Sequence, residues 1–66
     1  MIDYTNSEIS FLIDEYIHSE RDRKILKRRL IDGITYEALA EEFELSTRYI
    51  KTIVYRSESK LFKRIP

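Results

Sequence analysis

The chain has 66 residues, with no Cys, one Gly, one Pro, and twelve basic against twelve acidic side chains. A chain this short holds one domain, whose core must be compact or shared. Without Cys it has neither a disulfide scaffold nor a thiolate metal site, and no apolar run reaches the length that spans a bilayer. The N-terminal stretch is acidic, unlike the basic start of a secretory signal. Lack of Cys also fits a reducing compartment. The expectation is a cytoplasmic protein with no membrane partner.

Net charge is zero, but the charges come in blocks. Residues 1–20 carry five acids and no Lys or Arg, and residues 21–31 carry six bases and one acid. Residues 32–44 carry five acids and no base, and residues 45–66 carry six bases and one acid. Blocks of this kind can set opposite charges on different faces of one fold, and such asymmetry steers partners more than net charge does. The simpler alternative is that the blocks attract one another and assist folding.

The first element is predicted in "TNSEISFLIDEYIH". Ile9, Leu12, Ile13, Tyr16 and Ile17 recur at helical spacing and mark one apolar stripe. Thr5 and Glu8 have capping-box spacing, and Tyr4 with Ile9 has the spacing of a hydrophobic staple. Phe11 falls off the stripe, toward a partner or a neighbouring helix. His18 is expected to end this helix, where a cation suits the dipole.

Ser19 is the predicted N-cap of "ERDRKILKRRLID", with Glu20 and Asp22 at its positive end. Ile25, Leu26 and Leu30 form its buried face, with Ile31 at the edge. Gly33 sits where a helix end takes a left-handed residue. Thr35 then caps "YEALAEEFE", and Ile34 with Leu39 repeats the staple spacing. Leu39, Ala40 and Phe43 make the inner face. Leu45 follows as a buried turn residue, and Ser46 caps a last helix through Lys63 whose apolar residues are Ile50, Ile53, Val54 and Leu61. No strand pattern and no repeat appears. The expected fold is all-α, a small bundle of about four helices, with residues 1–18 as a support helix and residues 19–64 as the functional unit.

The pair from Thr35 to Arg56 has the pattern of a helix-turn-helix. A short helix crossing the next one closely needs a small residue, Ala40, at the contact. Leu45 must plug the turn, and Ile50 must pack back on Leu39. In such modules the second helix enters the major groove from its N-terminal turn. From Ser19 to Leu61, the stretches "ERDRKIL", Arg29, "DGITYEALAEEF" and "LSTRYIKTIVYR" resemble region 4 of sigma-70-type RNA polymerase sigma factors, and more loosely the LuxR-type output domain. Lys51 and Arg56 match positions that are commonly basic in that family. The chain departs from it at Glu44, where the family usually has Gly. It also departs in "KRR" at 27–29, where the family often has aliphatic residues near 27 and 28, and at Ile53, where the family is often polar. The rest of a sigma factor is missing, so promoter melting by this chain alone is not expected.

The resemblance implies a small DNA-binding transcription regulator without a cofactor. Its DNA-contacting candidates are Thr35, Tyr36, Thr47, Arg48, Tyr49, Lys51, Thr52, Tyr55 and Arg56. Arg48, Lys51 and Thr52 are suited to base edges. Tyr49, Tyr55 and Arg56 are suited to phosphates, as are Thr35 and Tyr36 at a helix start whose N–H groups point outward. Each of these side chains could instead be a plain solvated helix residue, and Tyr49 and Tyr55 could cover the core edge. The basic run from Arg21 to Arg29 has three open roles: flanking DNA, touching an acidic partner, or pairing with Asp14, Glu15 and Glu20. Arg29 matches a family position suited to a structural ion pair.

Catalysis is not expected. The single His and the clustered acids Glu41, Glu42 and Glu44 read as surface chemistry, and no phosphate loop, nucleophile elbow or metal-ligand spacing appears. A second function class is a protein-interaction module on the same fold, of a kind that a phage or mobile element could use against a host protein. Region 4 of sigma factors also engages RNA polymerase, which makes polymerase a possible partner. The acidic first helix and the aromatics Phe11, Tyr55 and Phe62 favour that class. A homodimer through the first helix or the tail "KLFKRIP" is compatible with both.

Overall fold

The computed structural model describes residues 4–63. They form four helices: α1 (Asn6–Tyr16), α2 (Glu20–Leu30), α3 (Tyr36–Phe43) and α4 (Thr47–Lys63). No strand occurs among the described residues. The domain is all-α, as the periodicity implies. The last residues of the tail, 64–66, fall outside the described segment, as does the end of the 19–64 unit.

Each helix starts on the hydroxyl that the sequence places there. The Thr5 hydroxyl accepts from the Glu8 N–H at 3.1 Å, and the Glu8 carboxylate accepts from the Thr5 N–H at 3.0 Å, a complete capping box. Ser19 accepts from Asp22 N–H, Thr35 from Ala38 N–H, and Ser46 from Tyr49 N–H, at 3.1–3.3 Å. Every cap thus satisfies a donor that the first helical turn would leave unpaired.

The helix ends are less uniform. α1 stops at Tyr16, and Ile17 is already extended, so His18 lies beyond the helix rather than at its end. The reason is packing: Ile17 turns its side chain into the core. The cation that meets the C-terminal carbonyls of α1 is Arg23, which donates to the Asp14 carbonyl at 3.1 Å and to the Ile17 carbonyl. After α2, Gly33 takes φ +70°, and the Ile34 N–H returns to the Arg28 carbonyl at 3.1 Å. A Cβ at Gly33 would touch nothing within 4 Å, so backbone conformation alone selects Gly there. After α3, Glu44 takes φ 56° and ψ 43°, the left-handed conformation that Gly would adopt more cheaply. The Leu45 N–H closes onto the Ala40 carbonyl at 2.9 Å.

The core contains Ile13 and Ile17, then Ile25 and Leu26 from α2, Leu39 and Ala40 from α3, and Ile50, Ile53, Val54 and Leu61 from α4. Leu30, Ile34, Phe43 and Leu45 pack at its margin, together with Ile9, Leu12 and Tyr16. α4 packs against all three other helices. Ile53 is fully buried, so its apolar side chain deepens the core. Ser57 is also buried, between Val54 and Leu61 on the inward stripe, where a small side chain lets helices approach.

Two outcomes follow. Glu44→Gly removes left-handed strain at an exposed position and should raise stability by about 0.5–1 kcal/mol, seen as a higher urea midpoint at unchanged m. Hydrogen bonding from Thr5, backbone first, holds the Glu8 carboxyl below its ordinary pKa. Its contribution is therefore present above the ordinary carboxylate pKa and lost as pH falls through the lowered folded value. Amide exchange at the start of α1 should quicken over that acidic interval, and Glu8→Gln should remove the pH dependence.

Candidate functional site

Helical periodicity divides α4 cleanly. Ile50, Ile53, Val54, Ser57 and Leu61 fill one face, so Arg48, Thr52 and Tyr55 must stand on the opposite one. All three are exposed, as are Tyr49, Lys51 and Arg56, while Thr47 is half-buried at the first position. Seven of the nine sequence candidates therefore lie on one helix, and the other two, Thr35 and Tyr36, open α3.

Tyr36 joins the two helices. Its half-buried ring has the Arg29 guanidinium 4.1 Å from the centroid and the Lys51 ammonium at 5.6 Å. The Tyr55 ring meets it edge-on at 6.3 Å, with 75° between the planes. Arg29 also donates to the Ile34 carbonyl at 3.0 Å, which ties the end of α2 to the approach to α3. No carboxylate forms an ion pair with Arg29 or Lys51 among the described residues. The expected ion-pair role of Arg29 is replaced by a carbonyl and an aromatic face. Two cations held on one ring, with no acid between them, leave positive potential beside the first turn of α3. The Tyr55 phenol is held above its ordinary pKa, chiefly by hydrogen bonding with and electrostatic coupling to the Tyr36 hydroxyl.

The other flank of α4 is pinned through Tyr49. Its hydroxyl accepts from Arg21 at 3.4 Å, and the same guanidinium lies 5.4 Å from its ring centroid. Arg21 also bonds the buried Asp22 at 3.2 Å. Thr35 uses its hydroxyl oxygen as a cap acceptor, which leaves its O–H free to donate. Thr52 donates to the Arg48 carbonyl at 3.1 Å, which leaves its oxygen to accept. The Arg48 and Arg56 side chains have no bonding partner among the described residues.

The basic run on α2 is largely engaged. Lys27 pairs with Asp14 at 2.8 Å, and Arg28 pairs with Glu42 at 2.6 Å and with Asp32 at 3.6 Å. Of the three acids expected to meet this run, only Asp14 does so in an ion pair among the described residues. Arg21 and Arg29 reach the candidate face, which spacing along the sequence does not reveal, because both contacts cross between helices. The basic run and two aromatic-rich helices are the only signals pointing to them. Among the described residues no three His, Cys, Asp or Glu are grouped to hold a metal ion.

Compared with protein-family models, with curated proteins and with solved structures, the chain has no match.

The Tyr36–Tyr55 contact has a spectroscopic consequence. The raised phenol favours the neutral form, so stability from this contact is present below the ordinary phenol pKa and lost as pH rises through the raised folded value. In an alkaline titration followed by side-chain NMR, Tyr55 should ionise above a model tyrosine, and Tyr36→Phe should bring it back toward that value.

Proposed function

We propose that this chain is a small DNA-binding regulator of transcription, in which α3 and α4 act as a helix-turn-helix and α4 enters the major groove. The observation that carries this reading is the placement of uncommitted charge. On α2 the cations are mostly consumed by acids, carbonyls and a tyrosine, whereas Arg48, Lys51 and Arg56 on the outward side of α4 have no acidic partner among the described residues. Cations left without acids on a rigid helix are available to phosphates and base edges.

In this mechanism Arg48 and Lys51 reach base edges from the first turns of α4, and Thr52 offers its oxygen as an acceptor. Arg56 and Tyr49 take phosphates on one flank. Thr35, Tyr36 and Tyr55 take a phosphate on the other, assisted by the Arg29 and Lys51 charges and the start of α3. The chain would act by binding alone, with no catalytic step and no cofactor, in the cytoplasm. The resemblance to sigma region 4 supports the same arrangement.

A second reading rests on a specific observation. Phe11 is 63 % exposed on α1 and Phe62 is 47 % exposed on α4. They suit a protein partner, RNA polymerase or a second copy of this chain, used beside DNA or instead of it.

Arg48→Ala and Lys51→Ala should each weaken specific duplex binding by about 1–3 kcal/mol, measured by fluorescence anisotropy with helicity unchanged. Arg56→Ala should weaken all sequences alike and lower the salt slope by about one. Unaltered affinity in folded Arg48→Ala and Lys51→Ala proteins would contradict the assignment.

A further inference from the structure

One surface feature is not used by the DNA-binding reading. A cleft of about 390 Å³ opens between α2 and α3, lined by Lys24, Lys27, Arg28, Glu42 and Phe43. Lys24 is exposed and is the one cation of the α2 run with no partner among the described residues. Phe43 and the aliphatic stems of the cations give the cleft an apolar floor beneath a charged rim.

We propose that this cleft is a docking groove for an acidic peptide segment of a protein partner, with carboxylates flanking an apolar side chain. Charge complementarity selects the occupant. Three cations line the cleft, and Lys24 is the one whose charge no acid offsets among the described residues. Lys27 and Arg28 already hold Asp14, Asp32 and Glu42, but these are solvent-exposed pairs, with side chains 36–52 % accessible. Such pairs contribute little and exchange readily with an incoming carboxylate. Arg28 also carries an unmet need: its Nε is shielded from solvent and donates to nothing. A carboxylate that displaced Glu42 and drew the guanidinium outward would take Nε and a terminal nitrogen together and so satisfy it. The apolar floor distinguishes this groove from a phosphate track, which has no use for Phe43. The partner's apolar residue would lie on that ring while its carboxylates meet Lys24 and Arg28.

The groove does not depend on Arg48 or Lys51, so it stands or falls apart from DNA binding. The test is an NMR titration of the full-length, nitrogen-15-labelled chain at low salt. The probe is a synthetic Asp/Glu-rich dodecapeptide with one central Leu. Its controls are the same peptide with Asn and Gln in place of the acids, and a random-sequence DNA duplex. The acidic peptide should shift the amides of Lys24, Lys27, Arg28 and Phe43, and the uncharged peptide should not. Lys24→Glu, a change at an exposed and unpartnered position, should weaken the peptide at least about fivefold. Lys60→Glu, an equal charge change outside the groove, should alter it by less than about twofold. Absence of shifts at these residues, equal effects of the two charge reversals, or shifts there with the duplex and not the peptide would each overturn the proposal.

Discussion

Everything in this small domain depends on one face of α4. Ile50, Ile53, Val54, Ser57 and Leu61 form a continuous buried stripe, and α1, α2 and α3 all close on it. A chain of 66 residues has too little interior to support two cores. Once that stripe is committed inward, helical geometry leaves no freedom for the rest of α4. Arg48, Thr52 and Tyr55 face out because their neighbours face in. The orientation of the candidate site is thus a by-product of core packing.

Rigidity of that face comes from its edges. Tyr36 packs against Lys51 and Tyr55 on one side, and Arg21 holds Tyr49 on the other. A side chain already near its working position loses less entropy when it binds. The acidic third block serves a different purpose. Glu42 draws Arg28 across to α3, while Glu44 forms the left-handed turn that delivers the chain to Leu45 and Ser46. The alternation of charge along the sequence becomes a sorting of charge in space: pairs between helices on α2 and, among the described residues, cations without an acidic partner on α4.

Much of this was readable from the residues alone. The four N-caps, Thr5, Ser19, Thr35 and Ser46, are local, because a hydroxyl three residues ahead of an N–H acts without tertiary context. The inward stripes follow from period, and Gly33 follows from the need for positive φ. What escaped were contacts between elements. Arg23 takes the C-terminal carbonyls of α1, a place the sequence suggested for His18, because burying Ile17 ends the helix early. Arg29 looked like an ion-pair residue and instead sits on Tyr36, since the loop through Gly33 folds that ring back over it. Ser57 reads as polar, and only the packing of α4 shows that a small side chain was required there.

The central claim is that the outward face of α4 reads duplex DNA. Its most direct test is selection from a random duplex library by the full-length chain, with sequencing of the bound fraction, repeated at two salt concentrations. The account predicts an enriched motif, as base contacts by Arg48 and Lys51 require, and an affinity that falls steeply with salt, as phosphate contacts led by Arg56 require. Two half-sites in that motif would mean that two copies bind together. No enrichment, with negligible binding even at low salt, would contradict it.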